Sequence, residues 1–146
     1  MLRGIAGVVL GYLAMFVVMF VLLTGIYLIL GTERAFLPAS YTPATLWMVI
    51  MVVAAIIAAV VGGLVCAKVA SGATAPKVLA VLVFALGLMI AVGTMGASKA
   101  TDPRPGDLAN FDAMMKANTP QWFAFASPLI QAIAVLAGAG MVKRRP

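Results

Sequence analysis

The side chains in this sequence that could do chemistry are few and fall in three places. The first is the segment Thr101-Asp102-Pro103-Arg104-Pro105-Gly106-Asp107, followed by Asp112 and Lys116. The second is Pro128 with Gln131, set inside an apolar run, and the third is the isolated trio Thr24, Cys66 and Thr94. Three carboxylates in one segment suggest acid/base work or a calcium site. On a helix, Asp107 and Asp112 point ~140° apart, a poor geometry for sharing a proton or an ion. A calcium loop needs dense oxygen ligands, and the EF-hand spacing is not present. Solvated carboxylates with local ion pairs to Arg104 and Lys116 are the simpler expectation.

Gln131 stands three residues after Pro128. A proline lacks the amide proton and frees a carbonyl one turn back, here near Ala124. The glutamine amide can satisfy a neighbouring backbone group or face a small polar cavity. Helix-to-helix hydrogen bonds in an apolar medium are worth only ~0.6–2 kcal/mol, so structural glue is the default and a ligand contact the alternative. Thr24 and Thr94 can bond the carbonyl a turn back. The candidate polar contacts of a cavity are therefore Gln131, Pro128, Thr94 and Thr24. A single cysteine, Cys66, excludes an intrachain disulfide and reads as a small packing residue. The lack of histidine excludes histidine-ligated haem, zinc, copper or di-iron centres. Catalytic residues, metal ligands and cofactors are all expected to be none.

These groups sit in an unusual chain. Of 146 residues, 64% are hydrophobic and 10% charged, against ~45–50% and ~25% in ordinary globular proteins. A domain of this size keeps too much of its surface at the boundary to hide that many apolar groups from water. The expected solvent is lipid. Four charge-free apolar stretches, Gly4–Gly31, Ala44–Ala67, Val78–Ala97 and Gln121–Val142, each reach the ~20 residues a spanning helix needs. Runs such as Met48–Val61 lack the alternation of a barrel strand. The expected fold is an all-α integral membrane protein: one membrane domain, residues 1–146, formed by a four-helix bundle. The first stretch is too long for a signal-peptide core, so an uncleaved helix is expected.

The ends of the spans carry signals. Thr42-Pro43 and Thr119-Pro120 suggest a hydroxyl N-cap followed by proline in the first turn, and Thr74 a similar cap before Pro76. Trp47 precedes Lys68 by 21 residues, and Trp122 precedes Lys143 by 21. Each pair spans ~31 Å of helix, about one hydrocarbon thickness. Tryptophan favours one interface and lysine snorkels to the other. Trp47, Trp122, Lys68, Lys143, Arg144 and Arg145 are thus expected as interface anchors, with the second and fourth spans running the same way. Arg3, Lys68, Lys77, Lys143, Arg144 and Arg145 fall on one side, against Arg34, Lys99, Arg104 and Lys116 with all four acids on the other. The excess of basic residues places both termini in the cytoplasm. The basic balance is then a matter of topology, and no nucleic-acid partner is expected.

Lipid removes the hydrophobic drive between helices, so small residues that admit close backbone approach mark the contacts. The second span carries two such files, Ala55, Ala59, Gly63, Ala67 and Ala58, Gly62, Cys66, Ala70. That doubling predicts a central helix with neighbours on two sides. Gly7 and Gly11 on the first span, Gly87 and Ala91 on the third, and Ala134 and Gly138 on the fourth complete the expected packing residues. An offset of 75 residues superimposes Trp47 on Trp122, Ala59 on Ala134, Gly63 on Gly138 and Lys68 on Lys143. Shared interfacial demands on two like-oriented helices explain that match more simply than duplication does. The 98–119 segment is long for a loop, and such loops are often functional. Asp107 is expected to cap a short helix through Asn118, with Leu108, Phe111 and Met115 on one face, lying on the outer membrane surface or over the bundle mouth.

The absence of ionisable residues inside the spans argues against proton-coupled pumps. In particular it argues against the four-span multidrug exporters, which need a glutamate in the first helix. In architecture alone the chain resembles the small four-span proteins of bacterial inner membranes, and no residue roles follow from that. The leading expectation is a non-enzymatic membrane protein, acting alone, as a homo-oligomer or as the accessory subunit of a membrane-protein partner. The second is a small-molecule or lipid transporter or binding protein with a cavity near Gln131 and Pro128. A membrane enzyme using the Asp102–Lys116 loop is the third. They separate on one observation: whether a continuous cavity joins the long loop to Gln131.

Overall fold

The computed structural model describes residues 2–70, 72–95, 103, 106 and 109–142. Among the described residues six helices appear in chain order: α1 (Leu2–Leu30), α2 (Thr32–Ala35), α3 (Thr45–Val69), α4 (Thr74–Thr94), α5 (Asn110–Lys116) and α6 (Gln121–Gly140). Four of them, α1, α3, α4 and α6, are long and apolar enough to cross a membrane. Continuous Leu, Val, Ile, Met and Ala supply no polar side chain to compete for the backbone, so each amide bonds within its own helix.

The helix starts differ from the caps expected of Thr42 and Thr119. Helix α3 begins at Thr45 with Ala44 as its N-cap, and α6 begins after Pro120; neither has a side-chain cap. Ala44 and Pro120 themselves hold extended ψ values of 152° and 140°, so each helix begins after them and not after the threonine. Thr42 instead lies in a tight loop, where its amide donates to Ser40 Oγ at 3.1 Å. Phe36 and Pro43 form an antiparallel bridge at the base of that loop. Helix α4 starts at Thr74, four residues before the expected Val78, with Ala73 rather than Thr74 as its N-cap. Pro76 is tolerated because it lies in the first turn, where no intrahelical partner is lost.

Gly31 ends α1 with φ 72° and ψ 169°, a region reserved for glycine. That turn aims α2 back across the bundle end, where Tyr27 Oη and Thr32 Oγ1 lie 3.0 Å apart in a buried hydrogen bond. Gly31→Ala is expected to cost ~1–3 kcal/mol through backbone strain alone, since no atom would crowd its Cβ. Thermal unfolding in mild detergent followed by circular dichroism would reveal it, and an unchanged midpoint would remove this role.

Helix α3 lies between α1 and α6, while α4 lies against α6 and closes on α1 through a narrower contact. The two small-residue files of α3 divide between these neighbours. On one side, a Cβ on Gly7 would lie 2.9 Å from Ala70 Cβ, and one on Gly11 would lie 2.8 Å from both Cys66 Cβ and the Gly62 carbonyl oxygen. On the other, Gly63 lies against the Val135 carbonyl and Gly138 against the Val60 carbonyl. A shift of 75 residues exchanges the two halves of this second contact, so α3 and α6 cross reciprocally. Ala55, Ala59 and Ala134 are buried along the same seam.

The core has two parts. Around Met15, Ala59, Cys66, Leu79, Val83 and Val135 it is built from small and aliphatic residues. Toward the other end it turns aromatic, with Tyr27, Phe36 and Trp47 around Leu23, Ala35, Ala54 and Ala113. The outer faces are apolar as well: Ile5, Phe16, Val17 and Val21 on α1 are each more than half exposed.

Candidate functional site

The bundle is not closed evenly. Helices α4 and α6 touch where Pro128 fills the gap left by Gly87; a Cβ on Gly87 would stand 2.6 Å from Pro128 Cγ. From this contact toward the end of α4 and the start of α6 lies a cleft of about 590 Å³. Gln131, Ser127 and Pro128 lie at its deep end, Ile90, Ala91 and Thr94 of α4 and Met51 of α3 along its walls, and Lys116, Asn118, Thr119 and Gln121 at its mouth. The volume falls within the ~300–1,000 Å³ of small-molecule sites.

Three of the four expected cavity contacts, Gln131, Pro128 and Thr94, line this cleft. Gln131 Nε2 donates to Ser127 Oγ at 3.0 Å. That bond leaves the serine proton and the glutamine carbonyl able to meet a ligand. Thr94 Oγ1 donates to the Ala91 carbonyl at 2.9 Å, one turn back. Thr24 is elsewhere: its hydroxyl accepts from Asn110 Nδ2 at 2.9 Å, tying α5 to α1. Ser127 is one turn before Gln131, so that partnership was readable from spacing. Asn110 is 86 residues from Thr24, and no local pattern announces it.

Helix α5 spans Asn110–Lys116, shorter than the expected helix from Asp107 to Asn118. Ala113 is buried, while Phe111 and Met115 are 72% and 71% exposed. Phe111 therefore faces away from the bundle, Met115 lies exposed at the rim of the cleft, and Asn110 and Ala113 dock the helix. Asp112 and Lys116 form a half-exposed ion pair at 4.0 Å. Asp102, Arg104, Asp107 and Leu108 lie outside the described residues. Lys116 is the one charged side chain among the described residues lining the cleft. The arrangement is suited to holding a molecule through hydrogen bonds and apolar contact.

The expected anchors separate. Trp122 is 65% exposed at the start of α6, whereas Trp47 is 7% exposed. Its ring meets Tyr27 edge-on at 5.7 Å. Trp47 is thus a core residue and does not reach the bundle surface, because α1 and α2 cover that face of α3. Lys68 is exposed in the last turn of α3. Lys143, Arg144 and Arg145 lie outside the described residues. No protein-family model matches the chain, and no curated protein or solved structure shows significant similarity to it.

Proposed function

We propose that the chain is a multi-pass membrane protein that binds one small amphiphilic molecule in the cleft between α4 and α6, without chemical conversion of it. In this reading α1, α3, α4 and α6 cross the bilayer and their exposed Ile, Val, Leu and Phe faces meet lipid. Apolar area on this scale is otherwise a mark of interaction surfaces or aggregation. The observation that carries the binding role is the cleft, whose lining extends from the Lys116–Thr119 segment to Gln131. A small bundle that serves only as a spacer has no need of an open wedge with hydroxyl and amide groups at its base.

The accessory-subunit expectation drew its support from the small-residue files. Gly7, Gly11, Gly62, Gly63 and Gly138 face other helices of the same chain, so these files are accounted for without a second protein. Among the described residues the cleft is not filled by another part of the chain. Binding is tested by titrating the purified protein in lipid nanodiscs with a fluorescent single-chain amphiphile, alongside a variant whose cleft is filled.

Orientation follows the basic residues, with Arg3 and Lys68 on the cytoplasmic side and the mouth of the cleft on the other. Reporter fusions at the two ends check this. A reporter that works only in the cytoplasm is expected to be active at both, and activity at one end alone would overturn the four-span topology.

A further inference from the structure

From the cleft we infer that its occupant is a single-chain amphiphile with an anionic head, drawn from the outer leaflet and held head-up against Lys116. The inference rests on the binding role proposed for that cleft and adds the class of ligand. Four observations carry it.

The first is charge. Lys116 lines the mouth, and no carboxylate lines the cleft among the described residues. Its ion pair with Asp112 is 4.0 Å long between half-exposed side chains. Such a pair is worth little and competes weakly with a ligand anion. A cationic head would meet Lys116 directly, while Asp112 does not line the cleft.

The second is depth. The cleft follows α6 from Gln121 to Gln131, ten residues or ~15 Å of helix. That is about half of a ~30 Å hydrocarbon core. A chain that descends from the outer boundary thus ends near the bilayer midplane. The base there offers Ser127 and Gln131, polar but uncharged, which suits a chain or an uncharged polar group and not a second ion.

The third is access. Ile90 and Met115 line the cleft yet are 65% and 71% exposed. The wedge therefore opens sideways, along the face that meets lipid. A ligand already dissolved in the leaflet enters by this route without crossing water. The fourth is size: about 590 Å³ suits one drug-sized molecule. A single chain fills that space, whereas a two-chain phospholipid exceeds it. Phe111, exposed on the adjoining helix α5, gives that helix an apolar side chain suited to an interface beside Lys116.

The test uses the whole protein in phosphatidylcholine nanodiscs and three fluorescent probes with the same C16 chain: a carboxylate, an alcohol and a trimethylammonium. The carboxylate is expected to bind at least about tenfold more tightly than the ammonium at low salt, with the gap narrowing at high salt. Lys116→Gln should weaken the carboxylate roughly tenfold, as for loss of one charge-assisted hydrogen bond, and leave the alcohol within about twofold. Lys116→Arg should retain the preference. Equal affinities for the three heads, or a Lys116→Gln effect as large on the alcohol, overturns the anionic assignment while leaving the cleft as a binding site. If no probe binds, the binding role itself fails and takes this inference with it.

Discussion

Gly63→Ala and Gly138→Ala are expected to be the most damaging single-methyl changes in the protein. At each position the added Cβ would meet a backbone carbonyl of the opposing helix, Val135 for Gly63 and Val60 for Gly138. A flexible side chain can rotate away from a new methyl, but a helix backbone cannot. The helices must separate along the whole seam that includes Ala55, Ala59 and Ala134, and overpacking of this kind costs ~1–3 kcal/mol or more. Because one outward shift relieves both clashes, the double variant should cost clearly less than the sum of the singles. Gly25→Ala and Gly93→Ala serve as controls, since nothing lies within 4 Å of a Cβ at either site. These two should be neutral or slightly stabilising, through the better helix propensity of alanine. Unfolding in mixed detergent micelles gives the comparison. If Gly63→Ala matched Gly25→Ala in stability, the close crossing of α3 and α6 would be wrong.

That crossing was legible in advance for a physical reason. In a chain whose outer and inner faces are equally apolar, hydrophobic periodicity no longer tells inside from outside. Small residues still do, because only they allow backbones to approach. Hence the two files on α3 pointed to two neighbours, and α1 and α6 occupy those places. The same logic leaves other signals ambiguous. Trp47 and Trp122 are chemically identical signals, yet one is buried on Tyr27 and the other exposed. Tryptophan suits an interface and an aromatic core equally well, and the choice depends on α2, a four-residue helix too short to leave a pattern. The bond between Thr24 and Asn110 is hidden for a different reason: it joins two helices far apart in sequence and involves residues ordinary in their own neighbourhoods. Gln131, Pro128 and Thr94 did point to the cleft. A glutamine beside a proline in a charge-free span must find a polar partner or a polar space, and here Ser127 and the cleft supply both.

Filling the cleft is the second large effect, and it separates binding from folding. Ala124 lines the open wedge near the start of α6 and is only partly buried. A tryptophan there would project into empty volume, so Ala124→Trp should keep the thermal midpoint within a few degrees of the parent. It should at the same time weaken a single-chain probe by about tenfold or more, because the indole occupies the path from the mouth toward Pro128. Gln131→Leu makes the opposite kind of change, conserving volume and removing hydrogen-bonding capacity at the base. It should cost a probe with a mid-chain hydroxyl roughly two- to tenfold, the worth of one ordinary hydrogen bond, and a plain chain almost nothing. Size thus acts on every ligand, whereas the glutamine acts only on those that carry a polar group to its depth. If Ala124→Trp stayed folded and bound the probe as tightly as the parent, the molecule would be sitting elsewhere on the bundle. The open wedge between α4 and α6 would then be a packing defect tolerated by lipid, and the Gly87–Pro128 contact its only structural purpose.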